Sequence, residues 1–155
     1  MEKYIGLDLG TTTCGIVYSD SLGIVHNKEN YRFENGNYKA CRERVIYWVN
    51  ELQIKNIIIG FPLQLDRKEG KRCDSVRRFC SDLLKLDPNL NIEMFDESFS
   101  TIEAHDRLQE AGLSMKEIKA KIDMVSAYII LEDYLRSKKN ENIKWWWYYN
   151  LRWRW

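Results

Sequence analysis

The chain has 155 residues, of which 45% are hydrophobic and 30% charged, and its formal net charge is +1. This length fits one domain with one hydrophobic core. The near-neutral charge excludes a protein whose whole surface attracts nucleic acid, so any basic surface must be local. The chain has no apolar run of about 18 residues, which a membrane-spanning helix needs, and no apolar stretch of the signal-peptide type at its start. We therefore expect a cytoplasmic protein with no membrane partner.

Taken in chain order, strand-like and helix-like segments indicate a mixed α/β fold. Short apolar runs bounded by turn residues predict strands at 3–8, 14–19, 23–25 with extension toward 33, 56–60 and 91–95. Apolar residues at helical spacing predict helices at 38–52 and 74–86. A polar loop at 61–71 separates the second of these helices from the strand at 56–60. Capping-box sequences predict two further helices that start at Ser100 and Ser114, the last ending near Arg136. The order predicts an α/β fold: a five-stranded mixed sheet with helices on both faces.

The cysteines and histidines do not indicate a zinc site. No two cysteines form a Cys-x-x-Cys pair, and His26 and His105 are the only histidines. We interpret the cysteines as reduced packing residues of a cytosolic protein. They are Cys14, Cys41, Cys73 and Cys80.

Acidic residues follow two strands of the predicted sheet. Asp8 ends the first strand, and Asp96 and Glu97 end the last one. We expect these two strands to be parallel neighbours, which would bring their carboxyl ends to one edge, where open α/β sheets place their sites. A turn or helix-entry role is the alternative for each of these acids.

A third acid, Asp123, lies among apolar residues of the last helix. It shares a face with Ser126, Ala127 and Ile130, and an acid buried there alone is costly. Converging acids also repel one another, and a divalent cation removes both problems. Hard oxygen donors without nearby His or Cys favour Mg²⁺ or Mn²⁺. The alternative is a partly exposed acid near the start of a long helix.

Four motifs in this order resemble the YqgF family, also called the RuvX or Holliday junction resolvase-like family. The resemblance runs from about Lys3 to Leu135, almost the whole chain. The motifs are Ile5-Gly6-Leu7-Asp8-Leu9-Gly10, Ile59-Gly60-Phe61-Pro62-Leu63, Asp96-Glu97-Ser98-Phe99-Ser100-Thr101 and Ile122-Asp123 with Ser126-Ala127.

The resemblance implies an RNase H-like fold and a nuclease that acts on structured nucleic acid. Members of the family are associated with maturation of the 5′ end of pre-16S rRNA, and earlier with resolution of branched DNA junctions. Asp8, Glu97 and Asp123 fall on the family's acids and would be both catalytic residues and ligands of Mg²⁺ or Mn²⁺. The chain departs from the family at Ser98 and Arg67, and at Thr12–Cys14, which weakens phosphate contacts near the site.

Two segments are candidates for binding the nucleic acid backbone. Gly10 and the turn at Thr11 and Thr12 would let backbone amides approach a phosphate, although a plain hairpin connection explains the turn equally well. The second segment is basic, and a solvated loop is its alternative; its candidate residues are Arg67, Lys68, Lys71 and Arg72.

Residues 139–155 form an aromatic and basic tail beyond the nuclease domain at 1–138, and the tail holds five of the six tryptophans. Such a tail can stack on bases, lie at a membrane surface, pack on the body or mediate self-association, including a homodimer. A segment without a selected role is a further alternative.

Two rival functions come from other classes. Asp8–Thr13 also resembles the first phosphate hairpin of the actin and heat-shock ATPase superfamily, but those enzymes need a second domain and a second phosphate loop. A non-catalytic nucleic-acid-binding or ribosome-assembly module is the other rival, because Ser98 stands where the family usually has a basic residue.

Overall fold

The computed structural model describes the backbone of residues 1–62, 70–96 and 100–152, and the side chains of 1–62, 70–96 and 102–141. Five strands and four helices lie in these ranges. They are β1 (Tyr4–Leu9), β2 (Thr13–Ser19), β3 (Val25–Arg32), α1 (Tyr38–Leu52), β4 (Asn56–Phe61), α2 (Lys71–Leu86), β5 (Asn91–Asp96), α3 (Ser100–Glu110) and α4 (Met115–Arg152).

The five strands form one mixed sheet in the order β3-β2-β1-β4-β5. β2 is antiparallel to β1 and to β3, whereas β4 and β5 run parallel to β1. The five-stranded mixed sheet is therefore confirmed. The expectation that β1 and β5 are neighbours is wrong, because β4 lies between them. The run Ile57–Ile59 is buried on both faces, at 0–1% exposure, and such a strand belongs at the centre of a sheet.

Helices cover both faces of the sheet, as predicted. Ile5, Leu7 and Leu9 of β1 belong to a core cluster that includes residues of α1 and α2. Tyr4 belongs to a second cluster, which packs under α4. Since successive side chains of a strand point to opposite faces, Asp8 faces the side that α4 covers.

Two element boundaries differ from the prediction for local reasons. β3 begins at Val25 rather than at residue 23, because Gly23 has φ +81° and its amide donates to the Asp20 carbonyl, 3.0 Å away, in a turn. α2 begins at Lys71 rather than at Asp74, so the predicted polar loop is too long. Cys73 is fully buried, and the apolar face of α2 therefore starts one turn earlier than expected.

The helix starts and the end of α4 were predicted with mixed success. Ser114 caps α4 as expected, since its Oγ accepts from the Glu117 amide at 3.3 Å and donates to the Glu117 carboxylate at 2.9 Å. α3 begins at Ser100, as predicted. α4 continues to Arg152 rather than ending near Arg136, because no Gly or Pro follows Gly112 to stop it.

All four cysteines are buried free thiols, which confirms their interpretation as packing residues. Within the part of the chain that the structure describes, no helix combines the length and the apolar character needed to cross a membrane.

Candidate active site

Asp8 lies at the carboxyl edge of the sheet and is 4% exposed. It directly follows the Leu7–Ile59 pair of the parallel β1–β4 ladder. The next strand, β5, ends at the same edge, with Asp96 opposite Phe61 of β4. The predicted convergence of strand ends at one edge is therefore correct. However, Asp96 is separated from β1 by the width of β4, about 10 Å for two strand spacings.

α4 approaches the β1–β2 hairpin closely at Asp123. Gly15 is the register partner of Asp8. A Cβ atom on Gly15 would lie 2.1 Å from the carbonyl oxygen of Asp123, so the helix backbone rests directly on the strand. Asp8 therefore lies beside Gly15 in the sheet, and the backbone of Asp123 lies against Gly15 from α4. Ser126, Ala127 and Ile130, predicted to share a face with Asp123, are buried at 0–1% exposure.

The carboxylate of Asp123 is half-buried at the end of the apolar face of α4. Burial raises its pKa above the ordinary value, whereas a hydrogen bond from the Thr13 hydroxyl and the nearby charge of Arg72 lower it. The Thr13 Oγ1 donates to Asp123 Oδ2. A carboxylate in this setting ionises at a cost that a cation can offset.

A cleft of about 670 Å³ opens beside Asp123. One side is the hairpin tip with Arg72 of α2, and the other is the end of β3 with the first turns of α4. The described residues that line it are Gly10, Thr11, Thr12, Thr13, Arg32, Arg72, Lys116, Lys119, Ala120, Ile122 and Asp123.

Backbone hydrogen bonds hold the hairpin tip beside the cleft in a defined orientation. The Gly10 amide donates to the Thr13 carbonyl at 2.8 Å, which closes the turn. The carbonyl of Thr12 accepts from the Phe33 amide at 2.9 Å, and that of Thr11 accepts from the Gly36 amide at 3.3 Å. The carbonyls of the tip are thus held by the segment after β3, and the exposed side chains of Thr11 and Thr12 border the cleft.

Of the remaining predicted site residues, the structure describes the positions of two. Arg72 lines the cleft and donates from Nη2 to the Leu9 carbonyl at 3.0 Å. Lys71 is exposed and does not line the cleft. Glu97, Arg67 and Lys68 lie outside the described residues. Among residues 1–62, 70–96 and 102–141, no three His, Cys, Asp or Glu side chains converge closely enough to hold a metal ion.

The sequence reasoning missed three cleft residues: Arg32, Lys116 and Lys119. Lys119 precedes Asp123 by one helical turn and Lys116 by two, so helical spacing from Asp123 is the signal that finds them. Arg32 is the register partner of Thr13, a pairing between strands that periodicity along the sequence does not reveal.

Comparisons with known proteins show the family to which the chain belongs. The family model for RuvX, described as "Holliday junction resolvase", matches residues 2–137. A relative from Lachnospira eligens named "Putative pre-16S rRNA nuclease" is 32% identical, covering 88% of this chain and 99% of the relative. A relative of the same name from a Geobacillus species is 36% identical, with 88% and 99% covered.

A solved structure supports the fold independently of sequence. The RuvC of T. thermophilus in complex with Holliday junction substrate superposes with a TM-score of 0.54 at 9% identity, covering 90% of this chain and 96% of RuvC. Since identity is this low, the likeness concerns the fold, and the RNase H-like fold expected from the sequence motifs is confirmed.

Proposed function

Because the chain belongs to the RuvX family, we propose that it is a metal-dependent endonuclease that processes the 5′ end of pre-16S rRNA. Its relatives carry the name of pre-16S rRNA nucleases, and the chain covers nearly their whole length. A pre-rRNA substrate places the proposed activity in the cytoplasm. The single observation that carries the proposal is the close approach of the α4 backbone at Asp123 to Gly15, the register partner of Asp8, beside an open cleft with basic walls.

The donor set fits a hard divalent cation. Asp8 and Asp123 offer carboxylate oxygens, and we propose Glu97 as the third acid because it is the next residue in the sequence after Asp96, which ends β5 at the same sheet edge. Oxygen ligands of this kind suit Mg²⁺ or Mn²⁺. When bound, such an ion polarises the phosphate and lowers the pKa of a coordinated water. The raised pKa of Asp123, caused by burial, is consistent with a carboxylate whose charge is balanced by a cation.

The other cleft residues would bind and orient the substrate. The Thr13 hydroxyl fixes one oxygen of Asp123, which sets the direction of the other. Backbone amides of Thr11 and Thr12 can approach a phosphate oxygen because the carbonyls at the tip point to the segment after β3. Arg72 supplies a guanidinium next to Asp123. We propose that Lys71, with Arg67 and Lys68 a few residues earlier in the sequence, also binds the nucleic acid backbone.

A four-way DNA junction is the second candidate substrate. The description of the family model as Holliday junction resolvase favours it. A cleavage assay decides between the two: the purified chain is offered pre-16S RNA and a four-way DNA junction, each with Mg²⁺, Mn²⁺ or EDTA. We expect RNA cleavage with metal and none with EDTA. Junction cleavage without RNA cleavage would favour the second candidate, and binding without cleavage would favour a ribosome-assembly module.

Asparagine variants test the carboxylates. Asp8→Asn and Asp123→Asn should each lower the single-turnover rate by about a hundredfold or more. Even mutation of a residue that only hydrogen-bonds to a metal ligand lowers metal affinity or activity by about 10–100-fold. Asp133→Asn is the matched control, since Asp133 is also a half-buried acid on α4 whose pKa burial raises, and it lies outside the cleft. Wild-type rates in the two site variants would refute the assignment.

We also propose that the aromatic segment 139–155 lies outside the nuclease domain, since the family model ends at residue 137. A chain that ends at Asn140 should then cleave at the wild-type rate. Sedimentation of both chains would show whether the segment contributes to a homodimer. A loss of cleavage on truncation would contradict the proposal.

A further inference from the structure

The second side of the cleft carries three cations that the proposed chemistry does not use. They come from the end of β3 and the first turns of α4, and we call them the β3–α4 wall: Arg32, Lys116 and Lys119. We infer that this wall is a second phosphate-binding surface, which holds the nucleic acid backbone next to the scissile position. The inference rests on the proposed function and assigns the residues that would grip the uncut part of the substrate.

The wall is held in place by contacts between the two elements. Arg32 pairs with Thr13 in the β2–β3 ladder, and Thr13 in turn donates to Asp123. Asn30, two residues earlier in β3, donates from Nδ2 to the Ala120 carbonyl at 2.6 Å. Because Ala120 directly follows Lys119, this hydrogen bond ties the strand end and the helix start to one another.

The three cations of the wall form no salt bridge with any described residue, so they do not stabilise the fold in that way. Arg42, Arg44 and Arg107 are in salt bridges with carboxylates of neighbouring elements or turns. In contrast, Arg32, Lys116 and Lys119 are exposed, and none of them is in a salt bridge with any described residue. Among the described residues that line the cleft, these three and Arg72 face one carboxylate, Asp123. In a chain of net charge +1 this concentrates positive charge where an anion would enter.

The spacing of Lys116 and Lys119 along α4 determines how far the wall extends from Asp123. Lys119 lies four residues before Asp123 and Lys116 seven, which corresponds to about 6 Å and about 10 Å along the helix axis. A nucleic acid strand advances about 3.4 Å per nucleotide along a duplex axis. The wall should therefore contact phosphates within about three nucleotides of the scissile one. Such contacts are independent of sequence and weaken with salt.

The test is binding in EDTA, where cleavage does not interfere. Dissociation constants of the full chain for a labelled RNA hairpin and a four-way DNA junction are measured between 50 and 200 mM KCl. The wall variant is Arg32→Ala/Lys116→Ala/Lys119→Ala. The matched control is Lys3→Ala/Lys39→Ala/Lys121→Ala, which removes the same charge from exposed lysines that do not line the cleft.

We expect the wall variant to bind at least tenfold more weakly at 100 mM KCl. Its slope of log K against log salt should be shallower by about 2–3, since each lost contact contributes about 0.7–0.9. The control variant should stay within twofold of wild type. Equal weakening of both variants would show that net charge rather than position matters, and would overturn the inference, as would a wall variant that binds like wild type.

Two further variants keep the result interpretable. Lys116→Ala/Lys119→Ala, which leaves β3 intact, should lose about two contacts, and Lys116→Arg/Lys119→Arg should restore wild-type binding. Loss of binding in the arginine variant would indicate a structural effect and would count against the inference. A wild-type chain that binds through the wall and cleaves no substrate would refute the proposed nuclease function while leaving the wall assignment standing.

Discussion

Replacing Gly15 with alanine should damage the site more than the fold. Gly15 does not have positive φ, so space rather than backbone conformation requires glycine. The added Cβ atom would lie 2.1 Å from the carbonyl oxygen of Asp123 and 2.7 Å from the Met124 amide nitrogen, both of which are backbone atoms. Since packed backbones yield little, α4 must move away from β2 by more than about 1 Å to restore an ordinary contact.

That displacement has two consequences of different size. Overpacking of this kind costs about 1–3 kcal/mol in the free energy of unfolding. A catalytic group misplaced by about 1 Å costs on the order of a hundredfold in rate. We therefore expect Gly15→Ala to remain folded at moderate temperature, with a cleavage rate about a hundredfold below wild type and a weaker response to Mg²⁺.

Urea denaturation and single-turnover cleavage across a Mg²⁺ titration measure the two effects separately. Gly6→Ala is the matched control, because its Cβ would meet side-chain atoms of Val17 at 2.8 Å and Leu131 at 3.0 Å, again under α4. Leu131 lies about 12 Å along the helix from Asp123. Gly6→Ala should therefore lose stability with little loss of rate in the folded protein. A folded Gly15→Ala protein with wild-type rate and Mg²⁺ response would refute the reasoning.

Three other substitutions probe the surroundings of the same carboxylate. Asp123→Asn should raise the free energy of unfolding at neutral pH in EDTA, because burial raises the pKa of Asp123 above 3.8. The contribution of Asp123 to stability is therefore present at acidic pH and is lost as the pH rises through the raised pKa. Mg²⁺ at a hundred times its Kd should stabilise the wild-type protein by about 2.7 kcal/mol and should stabilise this variant little. Thr13→Val removes the hydrogen bond that lowers the pKa of Asp123, so the acidic limb of the pH–rate profile should move to higher pH, whereas Thr13→Ser should keep it in place. Ser126→Ala should stabilise the protein by about 1 kcal/mol in urea denaturation, since the buried Ser126 Oγ has no hydrogen-bond partner among the described residues.

Elements with a strong local signal were predictable from the sequence. The helix at Tyr38–Leu52 was predicted with its observed bounds, because Cys41, Val45 and Val49 recur every four residues. In the structure all three side chains are buried. The Asn37 side chain also accepts from the Ala40 amide at 3.3 Å, a local cap that marks the start of this helix. Periodicity and capping act within a few residues, so one sequence is enough to read them.

Strand order and close approaches between elements were not predictable in this way. The position of β4 between β1 and β5 depends on which strands pair, and pairing joins residues such as Leu7 and Ile59 that are far apart in the sequence. The role of Gly15 is visible only when α4 rests on it. Arg32 faces the cleft through its register with Thr13. The candidate acids were singled out because Asp8 and Asp96 directly follow apolar strands and Asp123 lies among apolar residues, where an ionised group has a large desolvation cost.

A desolvation cost alone does not identify a functional residue, and α4 contains the comparison that separates the two cases. Asp123 and Ser126 lie three residues apart on its packed face, and both place polar atoms where burial opposes folding. Replacing either with a less costly side chain should therefore stabilise the metal-free protein. The cleavage rate should distinguish them: Asp123→Asn should lower it by about a hundredfold or more, whereas Ser126→Ala should leave it unchanged. If both variants gain stability and both keep full activity, then burial of Asp123 is tolerated by the fold for no catalytic reason, and the acid at this position is no part of an active site.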